Sequence, residues 1–155
     1  MIIRQFRETD VETVMDITVV CFAGVSIDQN IERVFGRLGE TDWRWRKRRS
    51  VEADVQANSE GVFVAEEDGR VIGYVTTILD RETRVGRIPN MAVLPMYRRR
   101  GVGEQLMRTA LRYFKESGIE YAKVEALEQN EAAQRFYPKI GFQEVARQIH
   151  YFMRL

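Results

Sequence analysis

The chain has 155 residues, of which 45% are apolar and 30% charged, and its 24 Lys and Arg nearly balance 23 Asp and Glu for a net charge of +1. That composition predicts one globular domain over residues 1–155. It excludes disordered, collagen-like and coiled-coil classes and argues against a strongly basic binder of polyanions. The single cysteine, Cys21, and the single histidine, His150, exclude Cys-rich and multi-histidine metal centres. We therefore expect no metal and a reducing, cytoplasmic setting. The first residues, Met1 to Arg7, lack the pattern of a secretory signal, and no apolar run approaches the roughly 20 residues that span a membrane.

In chain order, Ile2, Ile3 and Phe6 predict a strand over 2–7. Asp10 reads as the N-cap of a helix that carries Val11, Val14, Met15, Thr18 and Val19 at helical spacing and ends near Gly24. Ile31, Val34, Phe35 and Leu38 predict a second helix over 28–39, stopped by Gly39, and a third runs from 42 to 58. The period then shortens. Strands are predicted over 62–65 and 71–79 around an Asp68-Gly69 turn, and over 85–94 up to Pro95. A helix over 101–117, stopped by Gly118, is followed by a strand over 121–127 and a short helix over 130–137. Pro138 is expected to end that helix. One or two final strands are expected in 142–155. The order implies a mixed α/β domain with an antiparallel meander and at least one βαβ crossover.

Residues 91–105 carry the chemistry: Met91-Ala92-Val93-Leu94-Pro95, then Met96-Tyr97-Arg98-Arg99-Arg100-Gly101-Val102-Gly103-Glu104-Gln105. A strand gives way to a basic, glycine-rich turn and the start of an amphipathic helix. A helix N-terminus presents unpaired N–H groups to an anion. Gly101 and Gly103 carry no side chain to keep a diphosphate off the backbone, and three arginines supply countercharge. Glu104-Gln105 replaces the Lys-Ser/Thr of a P-loop, and the third glycine of a dinucleotide fingerprint is missing. A solvated arginine turn is the plain alternative. A second run, Asn130-Glu-Ala-Ala133-Gln-Arg-Phe136-Tyr137-Pro-Lys-Ile-Gly141-Phe142, puts Asn130 and Tyr137 two turns apart on one side of a helix, with small Ala133 between them.

Together these runs resemble the GNAT superfamily of acyl-CoA-dependent N-acyltransferases. The cofactor signature matches at Arg98-Arg99-Arg100-Gly101-Val102-Gly103, with Arg99 where many members have a small residue. The resemblance is good over residues 62–155 and looser over 2–20. It implies a central, mostly antiparallel sheet, splayed at the cofactor site and flanked by helices. It implies acetyl-CoA as acyl donor, with Met91, Ala92 and Val93 pairing with the pantetheine arm and the N–H groups from Arg99 to Gly103, with Glu104, holding the pyrophosphate. Asn130 and Ala133 would lie along the arm and Tyr137 near the thioester sulfur. The contact to the ribose phosphate stays open among Arg99, Arg135 and Lys139. The implied reaction is direct attack of a neutral primary amine through a tetrahedral intermediate, with the oxyanion near the Val93 N–H. Asn90 holds the position where many relatives carry a basic carboxylate. Glu125 is the preferred general base and Glu128 the second choice. Family analogy also suggests a homodimer through the last strands.

Trp43-Arg44-Trp45-Arg46-Lys47-Arg48-Arg49 interleaves aromatics with five cations, a pattern that binds RNA or acidic peptides, lines an acceptor groove, or forms an ordinary amphipathic helix face. Glu40, Asp42, Glu52 and Asp54 dilute its charge and favour the last. Two function classes stand: an acetyltransferase, and a non-catalytic acyl-CoA-binding regulatory module. The amine acceptor, small molecule or peptide, is not written in the sequence.

Overall fold

The computed structural model describes residues 1–155. Strand β1 (Ile2–Gln5) leads into helices α1 (Val11–Phe22), α2 (Ile27–Phe35) and α3 (Trp43–Ala57). Strands β2 (Phe63–Glu67), β3 (Arg70–Val75), β4 (Ile78–Asp80), β5 (Val85–Ile88) and β6 (Met91–Val93) follow. Helix α4 (Val102–Glu116), strand β7 (Tyr121–Val124) and helix α5 (Glu131–Ile140) complete the regular structure. No helix is long and apolar enough to cross a membrane.

The strands form two sheets, one ordered β1-β2-β3-β6 and antiparallel throughout, the other β4-β5-β7 with a single parallel pair, β5 with β7. The strands expected over 71–79 and 85–94 are each broken, the first at Thr76-Thr77 and the second at Pro89-Asn90. The breaks face each other, so β3–β6 pairing continues on one side and β4–β5 pairing on the other. Proline cannot donate to a ladder, so the interruption at residue 89 has a covalent cause. The β5–β7 register runs from Val85↔Tyr121 to Ile88↔Val124 and stops there. Beyond it β6 and the segment after β7 diverge, leaving a cleft.

Side-chain alternation gives the first sheet two apolar faces. On one face Val64, Tyr74 and Ala92 pack with Val14, Met15 and Ile17 of α1 and Val51 and Val55 of α3. On the other, Ala65, Ile72 and Val75, joined by Ile88 of β5, pack with Leu106, Met107, Ala110 and Phe114 of α4. Ile72 has no partner in the β2–β3 register, where Ala65 faces Gly73 and Glu66 faces Val71. This bulge moves Ile72 to the opposite face from Tyr74.

Four expectations change. Asp10 stands at the start of α1 but does not cap it, because its carboxylate accepts from Arg4 Nη1 and Nη2 and from the Arg7 N–H instead. Helix α2 stops at Gly36, φ +73°, rather than at Gly39, and Leu38 then bridges Thr41 across a tight turn. Pro138 does not end α5. It sits inside the last turn, and the helix closes one turn later at Gly141, φ +118°, whose N–H bonds back to the Tyr137 and Pro138 carbonyls. A proline near a helix end removes one bond, and the ring of Tyr137 is held regardless by Phe136 and Phe142 at 5.6 and 5.8 Å. Finally, residues 143–155 form no strand. Their backbone joins no ladder, and Val145, Ile149, Tyr151 and Met153 are exposed. The segment is held by Arg147 ion pairs to Glu128 and Glu144 and by Phe152 against Phe35. Local alternation supplies strand propensity but not a partner, and β7 is only four residues long.

Candidate active site

The cleft is built where three elements meet. β6 forms its floor. Thr76 N–H bonds to the Asn90 carbonyl and Leu94 N–H to the Ile72 carbonyl, so residues 90, 92 and 94 face β3. By the alternation of an antiparallel ladder, Met91 and Val93 direct their backbone groups away from β3, into the cleft. Ala92, grouped with them from sequence, turns its backbone to Tyr74 and is 5% exposed beneath α1. The outward Val93 carbonyl is already engaged, accepting from Arg98 Nε at 2.9 Å and from Cys21 Sγ at 3.4 Å.

The turn from β6 into α4 is the second wall. Gly101 begins α4 at φ +80°, ψ 0°, a left-handed conformation that favours glycine, and no side chain caps the helix. The first helical bond runs from Gln105 N–H to the Gly101 carbonyl. The backbone N–H groups from Arg99 to Glu104 find no acceptor within the chain. Such a row of free donors at the positive end of a helix dipole is a ready anion cradle. A Cβ at Gly103 would meet only Met91 and Phe136, both at 3.9 Å. A small side chain would therefore fit there in ordinary contact between β6, α4 and α5.

The three arginines divide. Arg98 is tied to Val93 as above. Arg100 pairs with Glu67 at 3.0 Å and lies over the Tyr97 ring. Arg99 forms no ion pair, is exposed, and takes φ +60°. It alone of the three makes no side-chain contact within the protein. Arg98 and Arg100, read from sequence as countercharge, thus each hold a contact within the protein as well.

Helix α5 is the third wall. Asn130 caps it through its side-chain oxygen, which accepts from the Ala133 N–H at 3.1 Å. Its amide NH2 remains unpaired. Tyr137 is held by Phe136 and Phe142, and burial pushes its phenol up to about 12. Glu125 follows β7 on the same face as exposed Tyr121 and Lys123, opposite Ala122 and Val124, which pack toward α4. It is exposed and forms an ion pair with Lys123 at 3.1 Å. Glu128 is drawn instead to Arg147.

Two features escape sequence reasoning. Gln129 bonds to both the Asn30 side chain and the Gly24 carbonyl at 2.8–3.0 Å, a clasp between the α1–α2 turn and the loop before α5. Asn90, only 3% exposed, carries a buried polar cluster with Lys47, Asp54 and Thr76. The spacing of 47, 54, 76 and 90 along the chain contains no signal for either meeting. The basic run is also resolved. Trp43 is buried and Trp45 half exposed. Arg46 pairs with Asp28 and Glu32, Arg48 with Glu12 and Asp16, and Lys47 with Asn90. Arg44 and Arg49 lie against the two tryptophans. Most of the cations are spent on the fold.

Comparison with known proteins identifies this architecture. The acetyltransferase (GNAT) family profile matches residues 24–142, and the chain belongs to that family. It is similar to an N-alpha-acetyltransferase of Sulfurisphaera tokodaii, 33% identical over 58% of this chain and 60% of that one. The chain thus spans three-fifths of that curated relative's length. Among solved structures it superposes on Ard1 from Thermoplasma volcanium with TM-score 0.69 and 25% identity, covering 94% of this chain and 84% of that one. PH1933 from Pyrococcus horikoshii OT3 gives TM-score 0.74 at 20% identity, covering 95% and 91%, and speaks for the fold.

Proposed function

We propose that this protein transfers the acetyl group of acetyl-CoA to a primary amine, and that the amine is the α-amine of a peptide or protein N-terminus. The observation that carries the acyl-donor reading is the row of unpaired N–H groups from Arg99 to Glu104 opening beside Gly103. The curated relatives named N-alpha-acetyltransferase, in Sulfurisphaera tokodaii and Arabidopsis thaliana, support the α-amine. The acyl donor is a cytoplasmic metabolite, and we place the reaction there.

In this reading the N–H row and Arg99 hold the pyrophosphate, with Val102 and Gly103 forming the first turn under it. The outward groups of Met91 and the Val93 N–H line the arm and the developing oxyanion. Asn130 contributes its free amide donors beside Ala133. A peptide α-amine has a reference pKa of about 8, so at pH 7 a modest base suffices to deprotonate it. We assign this role to Glu125, directly or through water. Tyr137 lies near the departing thiolate. A thiol of pKa about 8.5 is a much stronger acid than a phenol at about 12, so full proton transfer from Tyr137 would be uphill by about 5 kcal/mol. Tyr137 therefore stabilises the thiolate as a hydrogen-bond donor.

The test is thiol release from acetyl-CoA with a panel of peptides of differing first residues, free lysine and an aminoglycoside, on protein shown by thermal shift to bind acetyl-CoA. Turnover confined to the peptides is expected. Tyr137→Phe should lower kcat about tenfold to a hundredfold. Because Tyr137 stays protonated below its raised pKa, no loss of rate from its ionisation should appear up to about pH 10. Acetyl-CoA binding with no turnover on any amine would favour a regulatory module.

A further inference from the structure

The cleft exists because two strands break at one level, and Asn90 sits at that level with every polar group engaged. Its N–H donates to Thr76 Oγ1 at 3.1 Å, and its carbonyl accepts from the Thr76 N–H at 2.9 Å. Its side-chain Nδ2 donates to Asp54 Oδ2 at 2.8 Å and to Thr76 Oγ1 at 3.1 Å. Its Oδ1 accepts from Lys47 Nζ at 2.8 Å. Lys47 also lies over the Phe22 ring at 4.1 Å, and the neighbouring Cys21 touches the Val93 carbonyl. The Asn90 amide thus joins α3 to both broken strands directly before Met91, and Lys47 carries the link on to the end of α1.

Buried polar groups of an interrupted ladder must find partners elsewhere, and the geometry those partners impose becomes the geometry of the break. A lysine ammonium this buried is costly, and burial pulls it below the ordinary lysine range while Asp28 and Asp54 oppose the shift. Substrate recognition does not explain the bond to Asn90, whereas holding the break does.

We infer that Lys47 and Asp54, acting through Asn90, are positioning residues that keep the two sheets splayed and aim the outward backbone groups of Met91 and Val93 at the acyl donor. This rests on the acyl-CoA reading above and adds a role for three residues of the chain. Free CoA titrated into the protein, followed by calorimetry and by the amide signals of Met91 and Val93, provides the test, and it needs no acceptor. Lys47→Met keeps the length of the side chain but removes the donor. Lys47→Gln restores an N–H donor without the charge. The expected result is at least tenfold weaker CoA binding for Lys47→Met, with displaced Met91 and Val93 amides, and recovery to within about threefold for Lys47→Gln. Should Lys47→Met fail to fold, Asp54→Ala against Asp54→Asn makes the same comparison from the other side of Asn90. Equal binding by the unaltered chain and the donorless variant overturns the inference alone, as does a Gln variant no better than Met. Absence of CoA binding by the unaltered chain overturns the acyl-CoA reading and the inference with it.

Discussion

Arg99 shows how a single residue can serve two opposed demands. Its φ of +60° is a left-handed conformation that an L side chain occupies at a cost of about 1–2 kcal/mol. Its neighbours Arg98 and Arg100 are bound to Val93 and Glu67, so its guanidinium is the free charge of the turn. Arg99→Gly would relieve the strain, while glycine's greater freedom in the unfolded chain gives back about 0.4–1 kcal/mol. We expect the variant to unfold within about 1 kcal/mol of the parent. Its CoA affinity should fall several-fold at low salt, with a weaker salt dependence, since exposed charge contacts are screened by salt. Urea unfolding and calorimetry at two ionic strengths check both halves.

Helix α4 separates stability from binding in the same way. Gly103 has ordinary φ, and a Cβ there meets nothing nearer than 3.9 Å. Leucine favours a helix over glycine by up to about 1 kcal/mol, so Gly103→Leu should hold or raise the melting temperature. The same side chain would occupy the space beside Met91 and Phe136, and the thermal shift given by CoA should disappear. A variant that melts like the parent and still responds to CoA would remove Gly103 from the site. The helices were legible in sequence because their signals are local: amphipathic spacing marks α4, and Ser26, Asp42 and Asn130 each cap a helix within three residues, although the cap read at Asp10 fails. The anion turn was legible for the same reason, since Gly101 and the helix start lie within a few residues. The split of two strands at Thr76-Thr77 and Pro89-Asn90 was not. Pro89 marks one of the two breaks, but the partners that satisfy Asn90 there, Lys47 and Asp54, come from a distant helix. The contact of Arg100 was hidden too, because its partner Glu67 lies across the sheet on β2, whereas Arg98 turns back to Val93 only five residues away. The final strands failed for want of a partner rather than of pattern.

For the whole molecule, the anchor of the first strand is an ion pair with a pH signature. Arg4 bonds Asp10 at 2.7 and 2.9 Å and Glu66 at 2.6 Å, joining β1 to the start of α1 and to β2. Hydrogen bonds from Arg4 hold the Asp10 carboxyl below the usual carboxylate range, with the Arg7 N–H adding to the effect. A carboxyl depressed in the folded state contributes stability above its unfolded pKa, about 3.9. That contribution is lost as pH falls through the lower, folded value. Asp10→Asn should therefore cost about 2 kcal/mol at pH 7, the value of hydrogen bonds to a charged group. The difference between variant and parent should shrink below about pH 4, where both side chains are neutral in the unfolded chain. Urea midpoints at pH 7 and pH 3 measure it.

The Gln129 clasp ties the α1–α2 turn and α2 to the loop before α5. Its three bonds to Asn30 and Gly24 are all solvent-exposed. At about 0.5 kcal/mol apiece they sum to about 1.5 kcal/mol, which leaves roughly one molecule in ten unfastened at any moment. A ligand that bound only when α2 and the loop before α5 part would meet that tenth alone, and its apparent affinity would be about tenfold poorer than its contacts give.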